Sequence, residues 1–546
     1  MLLPNRYTSL TDKVGDRKEV FLYHDSEDRL VATTETPLLR EGEAGYLRVV
    51  DKTAHGAFLD WGLHGKDLFL PNRNQQGGIL AGHSYIVYLY EDNITGRCVA
   101  TTKLKSFINN DLITVKPREE VSLLVASESE IGFRVIVIGA GAAGMMAAGT
   151  AARSGRRVLL IEKMEKSGRK VRITGKGRCN VTNARPAEEF ADQVRTNAEF
   201  FKVAFSEFNN RAAIKFFERA GVKLDIERGD RVFPQSGKAW DIANALLEFC
   251  VENGVKIIYN TRVTEILTLG DRVFGVKYIN RRGFERKEEC AQVILATGGV
   301  SYPATGSTGD GYAFAADLGH TIEPLRPSLT PLLSSHAQMR YLDKVLLRNV
   351  RATLYVDNEP VREEFGEIGF SDRGIEGAVA LRMSRDAVDA LIEEKRVKLV
   401  LDLKPALTEE VLHERIAREI AELQPNEFFG ELLRKLVPKP LVMPLAQEVD
   451  IRANCYVGKI TEEQITRLVR TLKGLTFPIT DYAPFEYAVV TAGGVRCDEV
   501  NPYTMESLKV KGLYFAGEVL DIDANTGGYN LQIAFSTGRL AGSLKK

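Results

Sequence analysis

Several things are scarce in this 546-residue sequence, and each scarcity excludes something. Its six cysteines, Cys98, Cys179, Cys250, Cys290, Cys455 and Cys497, form no Cys-x-x-Cys pair, so neither a disulfide framework nor a zinc site is indicated. Of seven histidines only His320, His336 and His413 lie beyond residue 134, none spaced with a second ligand, and no metal is expected. Net charge is absent too: 73 Lys plus Arg balance 73 Asp plus Glu, which gives no overall pull toward nucleic acid or anionic membrane. The start, Met1 to Arg6, lacks a basic stretch followed by an apolar run, so a cytoplasmic protein is expected. The most apolar stretch, Val135 to Ala152, is rich in Gly and Ala and ends in Arg153-Ser-Gly-Arg-Arg157, so no membrane span is expected.

A chain this long exceeds one hydrophobic core and divides into domains. The most informative segment begins at Arg134-Val-Ile-Val-Ile138, a β-branched run suited to a strand buried on both faces. It passes into Gly139-Ala-Gly141-Ala142-Ala143-Gly144, a small-residue helix, a second apolar strand Arg157 to Ile161, and Glu162. Gly139 permits the tight turn, Gly141 lets backbone approach a pyrophosphate, and Gly144 allows close helix packing. The helix N-terminus offers free amides to phosphates. Glu162 is placed to accept ribose hydroxyls and would repel a 2′-phosphate. The unit predicts dinucleotide binding without separating FAD from NAD.

Other segments decide that question. Gly168 to Asn183 (GRKVRITGKGRCNVTN), Val293 to Gly299 (VILATGG), Gly512 to Glu518 (GLYFAGE) and Gly527 to Gln532 (GGYNLQ) form an ordered set. Together they resemble the BaiN-like (YhiN-like) flavoprotein family over residues 134–546. The resemblance implies an α/β, two-dinucleotide-binding-domain flavoprotein fold of the Rossmann type holding extended FAD. It places FAD against Gly139, Gly141, Ala142, Ala143, Gly144, Glu162, Lys163 and Lys170. It adds Asn180, the Val263 backbone at the adenine, Thr297, Gly298, Gly517, Glu518, Gly528, Tyr529 and Asn530. The sequence departs from the family in carrying Lys176 between Gly175 and Gly177.

In Arg178-Cys179-Asn180 a cation, a thiol and an amide share one glycine-bracketed loop. Arg178 and Tyr529 are the candidates for polarising a carbonyl or relaying a proton, and Cys179 is expected to line the site. Residues 327–484 leave the dinucleotide pattern. Ala352 to Val356 and Val397 to Leu403 read as antiparallel strands, and helices open at Thr408 and at the Thr461/Gln464 capping box. By resemblance this is a β plus helical insertion covering the flavin, with the FAD domain in two parts, 134–326 and 485–546. No second strand-Gly-x-Gly-x-x-Gly-helix unit follows; Gly306 to Gly311 has the wrong spacing. Any NAD(P)H donor would therefore visit transiently. The activity implied is reduction, or the reverse desaturation, of a conjugated C=C bond in a small apolar substrate. The alternatives are a flavoenzyme acting on RNA and an FAD oxidase.

Residues 1–111 read differently. Short strands at 45–50, 56–62, 67–71 and 84–90, split by glycine turns, predict a small antiparallel barrel. They resemble the S1-like, OB-type repeats of the conserved virulence factor B family, which implies RNA stacking on Tyr46, Phe58, Trp61 and Phe69. Against this, residues 1–130 hold 15 Lys plus Arg and 19 Asp plus Glu, a net of −4, a poor phosphate-binding field, so any RNA binding is expected to be weak. Residues 112–133 are expected to be a truncated repeat or linker. No oligomeric state follows from the sequence.

Overall fold

The computed structural model describes residues 3–8, 12–13, 15–25, 27, 29–92, 95–104, 107, 133–372 and 374–544. The expected linker falls almost wholly outside them. The chain divides into two compact units, Met1–Glu130 and Ile131–Lys546, each described here by itself.

In the first unit, Ala44–Lys52, Gly56–Leu63, Lys66–Pro71, Ser84–Asp92 and Arg97–Thr101 form a five-stranded antiparallel sheet. It curls until Lys66–Pro71 lies beside Arg97–Thr101, and Leu47, Val49, Leu59, Leu68, Leu70, Val87 and Leu89 fill the inside. This is the expected barrel-like arrangement. One aromatic is corrected: Trp61 is only 3% exposed and its Nε1 donates to the carbonyl of Leu39 at 2.7 Å, so it is core and no stacking platform. Tyr46 is 64% exposed, while Phe58 and Phe69 are half-buried and pack on each other at 5.1 Å.

The second unit is built on a parallel sheet. We label its strands β1 (Val135–Ile138), β2 (Val158–Ile161), β3 (Lys256–Ile258), β4 (Gln292–Leu295) and β5 (Leu513–Phe515). Their order across the sheet is β3-β2-β1-β4-β5, all parallel. Every residue of β1 and β2 is buried, which is why both read as continuous apolar runs. Five helices matter for the site: α1 (Ala142–Arg153), α2 (Arg169–Ile173), α3 (Ala239–Glu252), α4 (Gly377–Ile392) and α5 (Tyr529–Ser543). No helix among the described residues is long and apolar enough to cross a membrane; Val135 to Ala152 is β1 followed by α1.

Between Ile322–Ser328 and Val490–Val495, which pair antiparallel, the chain makes a closed six-stranded barrel. Its strands include Leu346–Val356 and Val397–Asp402, and α4 buries Val379, Ala380, Met383 and Ala387 in the same core. Four helices follow, among them Glu409–Glu422, capped by Thr408, and Glu462–Lys473, carrying the Thr461/Gln464 capping box.

Candidate cofactor and active site

The glycine turn after β1 is shaped by what each position excludes. Gly139 has a φ of +99°, and a Cβ there would press to 2.6 Å from the carbonyl oxygen of Ala296. At Gly144 a Cβ would run into the carbonyl of Gly139, so the helix can start this close only without a side chain. Around Gly141 nothing lies within 4 Å of where a Cβ would stand: backbone faces open space at the N-terminus of α1.

That space belongs to a cavity whose empty volume, open solvent at its mouth included, is about 1360 Å³. Its wall includes Glu162, Lys163, Val263, Gly139, Gly141, Ala142, Ala143, Thr297, Gly298, Lys170, Gly517, Glu518 and Asn530. A helix N-terminus with open backbone and an acid at the end of the second strand, both in one wall, fit a dinucleotide. Asn180 Oδ1 is buried with no hydrogen-bond donor among the described residues, but Asn180 is not in the cavity wall.

The electrostatics are arranged around two carboxylates. Glu162 accepts from the backbone amides of Ala140 (2.7 Å) and Met164 (2.8 Å), tying β2 to the glycine turn. Burial pushes its pKa up, partly offset by those amides. Glu518 is also desolvated, yet Lys170 at 2.8 Å, the Ser301 hydroxyl at 2.7 Å and the Thr491 amide at 2.8 Å hold it below the ordinary carboxylate range. Lys163 donates to Asp310 at 2.8 Å, and both line the cavity. Ser301, Thr491 and Asp310 were not singled out from sequence. The Thr491-Ala-Gly-Gly494 run was the available signal, since both glycines adopt positive φ.

Six expected residues are not in the cavity wall: Gly144, Arg178, Cys179, Asn180, Gly528 and Tyr529. Arg178 is outside the cavity: its guanidinium pairs with Glu227 and sits 4.4 Å over the Phe233 ring. Cys179 does not line the cavity and is fully buried, its thiol pushed up to about 12 by desolvation, so it is no thiolate nucleophile at neutral pH. Gly144 packs beneath the turn and does not face the space. Gly528 caps α5 with a φ of +95°, and Tyr529 is the first helical residue, one position before the cavity wall at Asn530. Asn530 fixes that approach by donating to the carbonyl of Ala524 (2.8 Å) and accepting from its amide (3.0 Å).

Comparison with known proteins agrees with this geometry. The family model described as HI0933-like protein Rossmann domain matches residues 133–544. The chain belongs to that family. A 3-dehydro-bile acid delta(4,6)-reductase of Clostridium scindens is 32% identical over 412 residues, 75% of this chain and 98% of that protein. Two proteins named ribosomal RNA dihydrouridine synthase are each 30% identical, from Haemophilus influenzae over 74% of this chain and 96% of its own, and from Escherichia coli over 74% and 96%. The S1 domain model matches residues 1–35 and 42–103. The HI0933-like chain is therefore an FAD-dependent oxidoreductase with an S1 domain ahead of its flavoprotein part.

Proposed function

We propose that this flavoprotein reduces a carbon–carbon double bond conjugated to a carbonyl, with Tyr529 supplying the proton. The observation carrying this reading is the state of Tyr529. Its ring is packed against Phe190 at 4.8 Å and the residue is 3% exposed, yet its hydroxyl makes no hydrogen bond among the described residues. Burial raises its pKa, while Arg185 and Arg382 pull it down and Asp230 and Glu189 push it up. The phenol therefore keeps its proton at neutral pH and is available as an acid.

When bound in the cavity, FAD supplies two-electron hydride chemistry. The protein's part is to hold and to protonate. The turn between β1 and α1 would hold the pyrophosphate and Glu162 with the Val263 backbone the adenosine, while Lys170 pairs with Glu518 in the cavity wall. Arg382, on helix α4 of the insertion, acts electrostatically on Tyr529. Saturation needs a hydride at the β-carbon and a proton at the α-carbon, the latter from the Tyr529 hydroxyl. The electrons come in this reading from NAD(P)H visiting the same cavity. Both relatives' names support it, because Δ4 of a 3-oxo bile acid and the double bond lost in making dihydrouridine are each conjugated to a carbonyl.

The first substrate reading is a small apolar enone. A pyrimidine base within RNA is the second, favoured by the S1 match and the names of two relatives. Replacing Tyr529 by Phe is expected to lower turnover by about 10²- to 10⁴-fold while FAD content and the rate of bleaching by NADH or NADPH stay unchanged. Anaerobically bleached protein should regain its oxidised spectrum on adding an enone or uridine-containing RNA. Unchanged turnover in the Phe variant would remove Tyr529 from the reaction; recovery with neither substrate, alongside fast reaction with oxygen, would replace the reading by an oxidase.

A further inference from the structure

The segment that walls the cavity carries charge of one sign. Between Lys163 and Arg178 stand seven cations and a single carboxylate, Glu165. Four of the cations are paired: Lys163 with Asp310, Lys170 with Glu518, Arg169 with Glu165 and Arg178 with Glu227. Lys166, Arg172 and Lys176 have no carboxylate partner among the described residues. A further unpaired cation, Lys238, is brought beside them because the amide of Ala239 donates to the carbonyl of Gly177 at 2.8 Å, joining the start of α3 to the loop after α2.

Next to Lys238 stands Trp240, 52% exposed, on the first turn of α3. The Arg172 guanidinium lies 3.9 Å over its ring, held there by hydrogen bonds to Asn244 Oδ1 and to the carbonyl of Ser167, each at 3.2 Å. The Lys166 ammonium is 5.7 Å from the same ring. An indole left half in solvent and flanked by unpaired cations offers a base-stacking surface and phosphate partners side by side.

We propose that this face, made of α2, the loop at Lys176 and the start of α3, docks a single-stranded RNA segment. The assignment moves RNA recognition away from the S1-like first unit, whose residues 1–130 carry a net charge of −4 and where Asp60 and Asp51 act on Asp67 to raise its pKa beyond what burial does. Placement argues for relevance to the reaction. The same short segment presents Lys166, Gly168, Arg169, Lys170, Val171 and Thr174 to the cavity, while Arg172 and Lys176 are not in its wall, so Lys166 borders both faces. A strand bound here lies about one helix width, roughly 10 Å, from the cofactor space. The proposal rests on the second substrate reading above, but its test involves no redox step, so either can fail alone.

The full-length FAD-loaded protein is titrated against a fluorescein-labelled oligouridylate by anisotropy at about 50 and 200 mM salt. Binding is expected at the lower salt and should weaken steeply at the higher. Trp240→Ala and Lys238→Glu should each lower affinity at least tenfold, Trp240→Phe should keep most of it, and all three should retain the flavin spectrum. Lys238→Glu should also flatten the salt dependence by about one unit of slope. The inference is overturned if the wild type shows no binding at low salt, if the variants bind like wild type, if Tyr46→Ala alone abolishes binding, or if phosphatidylserine vesicles and not the oligouridylate bind in a Trp240-dependent way.

Discussion

Glu162 ties the second strand to the glycine turn. Its two oxygens accept from the amides of Ala140 and Met164, and it stands in the cavity wall. Glu162→Ala should weaken FAD by about 1–3 kcal/mol, read by titrating apoprotein with FAD, because a charge-assisted acceptor is lost. Glu499 sets an acid limit elsewhere. It is desolvated, but Lys509 at 2.7 Å and the amide and hydroxyl of Thr321 depress its pKa to about 2. A depressed folded-state pKa stabilises above the unfolded value, about 4.3, and that stabilisation disappears as pH falls toward 2. Glu499→Gln should therefore lower Tm at pH 7, with the gap to wild type closing below about pH 4 in thermal scans. At this scale the glycines and Glu162 were legible because their jobs are local to a turn. Arg178 was not: what draws it out of the cavity is a carboxylate on a hairpin 49 residues away. Trp61 was not legible either, since alternation alone does not say which face of a curling sheet turns inward.

Among the elements, α1 and α5 meet unusually closely. A Cβ at Gly538 would stand 2.5 Å from the carbonyl oxygen of Ala143, and one at Gly542 would press on that of Ala147. Ordinarily Gly→Ala within a helix gains nearly 1 kcal/mol from propensity. Here overpacking of about 1–3 kcal/mol opposes it, so Gly542→Ala is expected to lower the urea midpoint, with FAD binding weakened because the start of α1 walls the cavity. Capping residues made the inserted helices readable from sequence, Thr461 with Gln464 most clearly. Closure of the barrel was not readable, because Leu332–Ser334 pairs with Leu475–Tyr482 across the whole insertion.

For the molecule as a whole, the two units have opposite balances: the net −4 of residues 1–130 leaves +4 for the remainder of a chain whose total is zero. Removing residues 1–130 is expected to leave the FAD stoichiometry and flavin spectrum unchanged, measured on the purified fragment; loss of flavin would mean that the first unit contributes to the site. The cavity wall itself runs from Ile138 to Ala534 in the chain. Ribosomes add about 5–20 residues per second, so roughly 400 residues separate the first wall from the last by some 20–80 s. During that interval the glycine turn exists without its opposite wall. The cavity is complete only once the chain has been made through Ala534 and folded, so a translation product stalled before that point is expected to be colourless, however much of its S1 domain is folded.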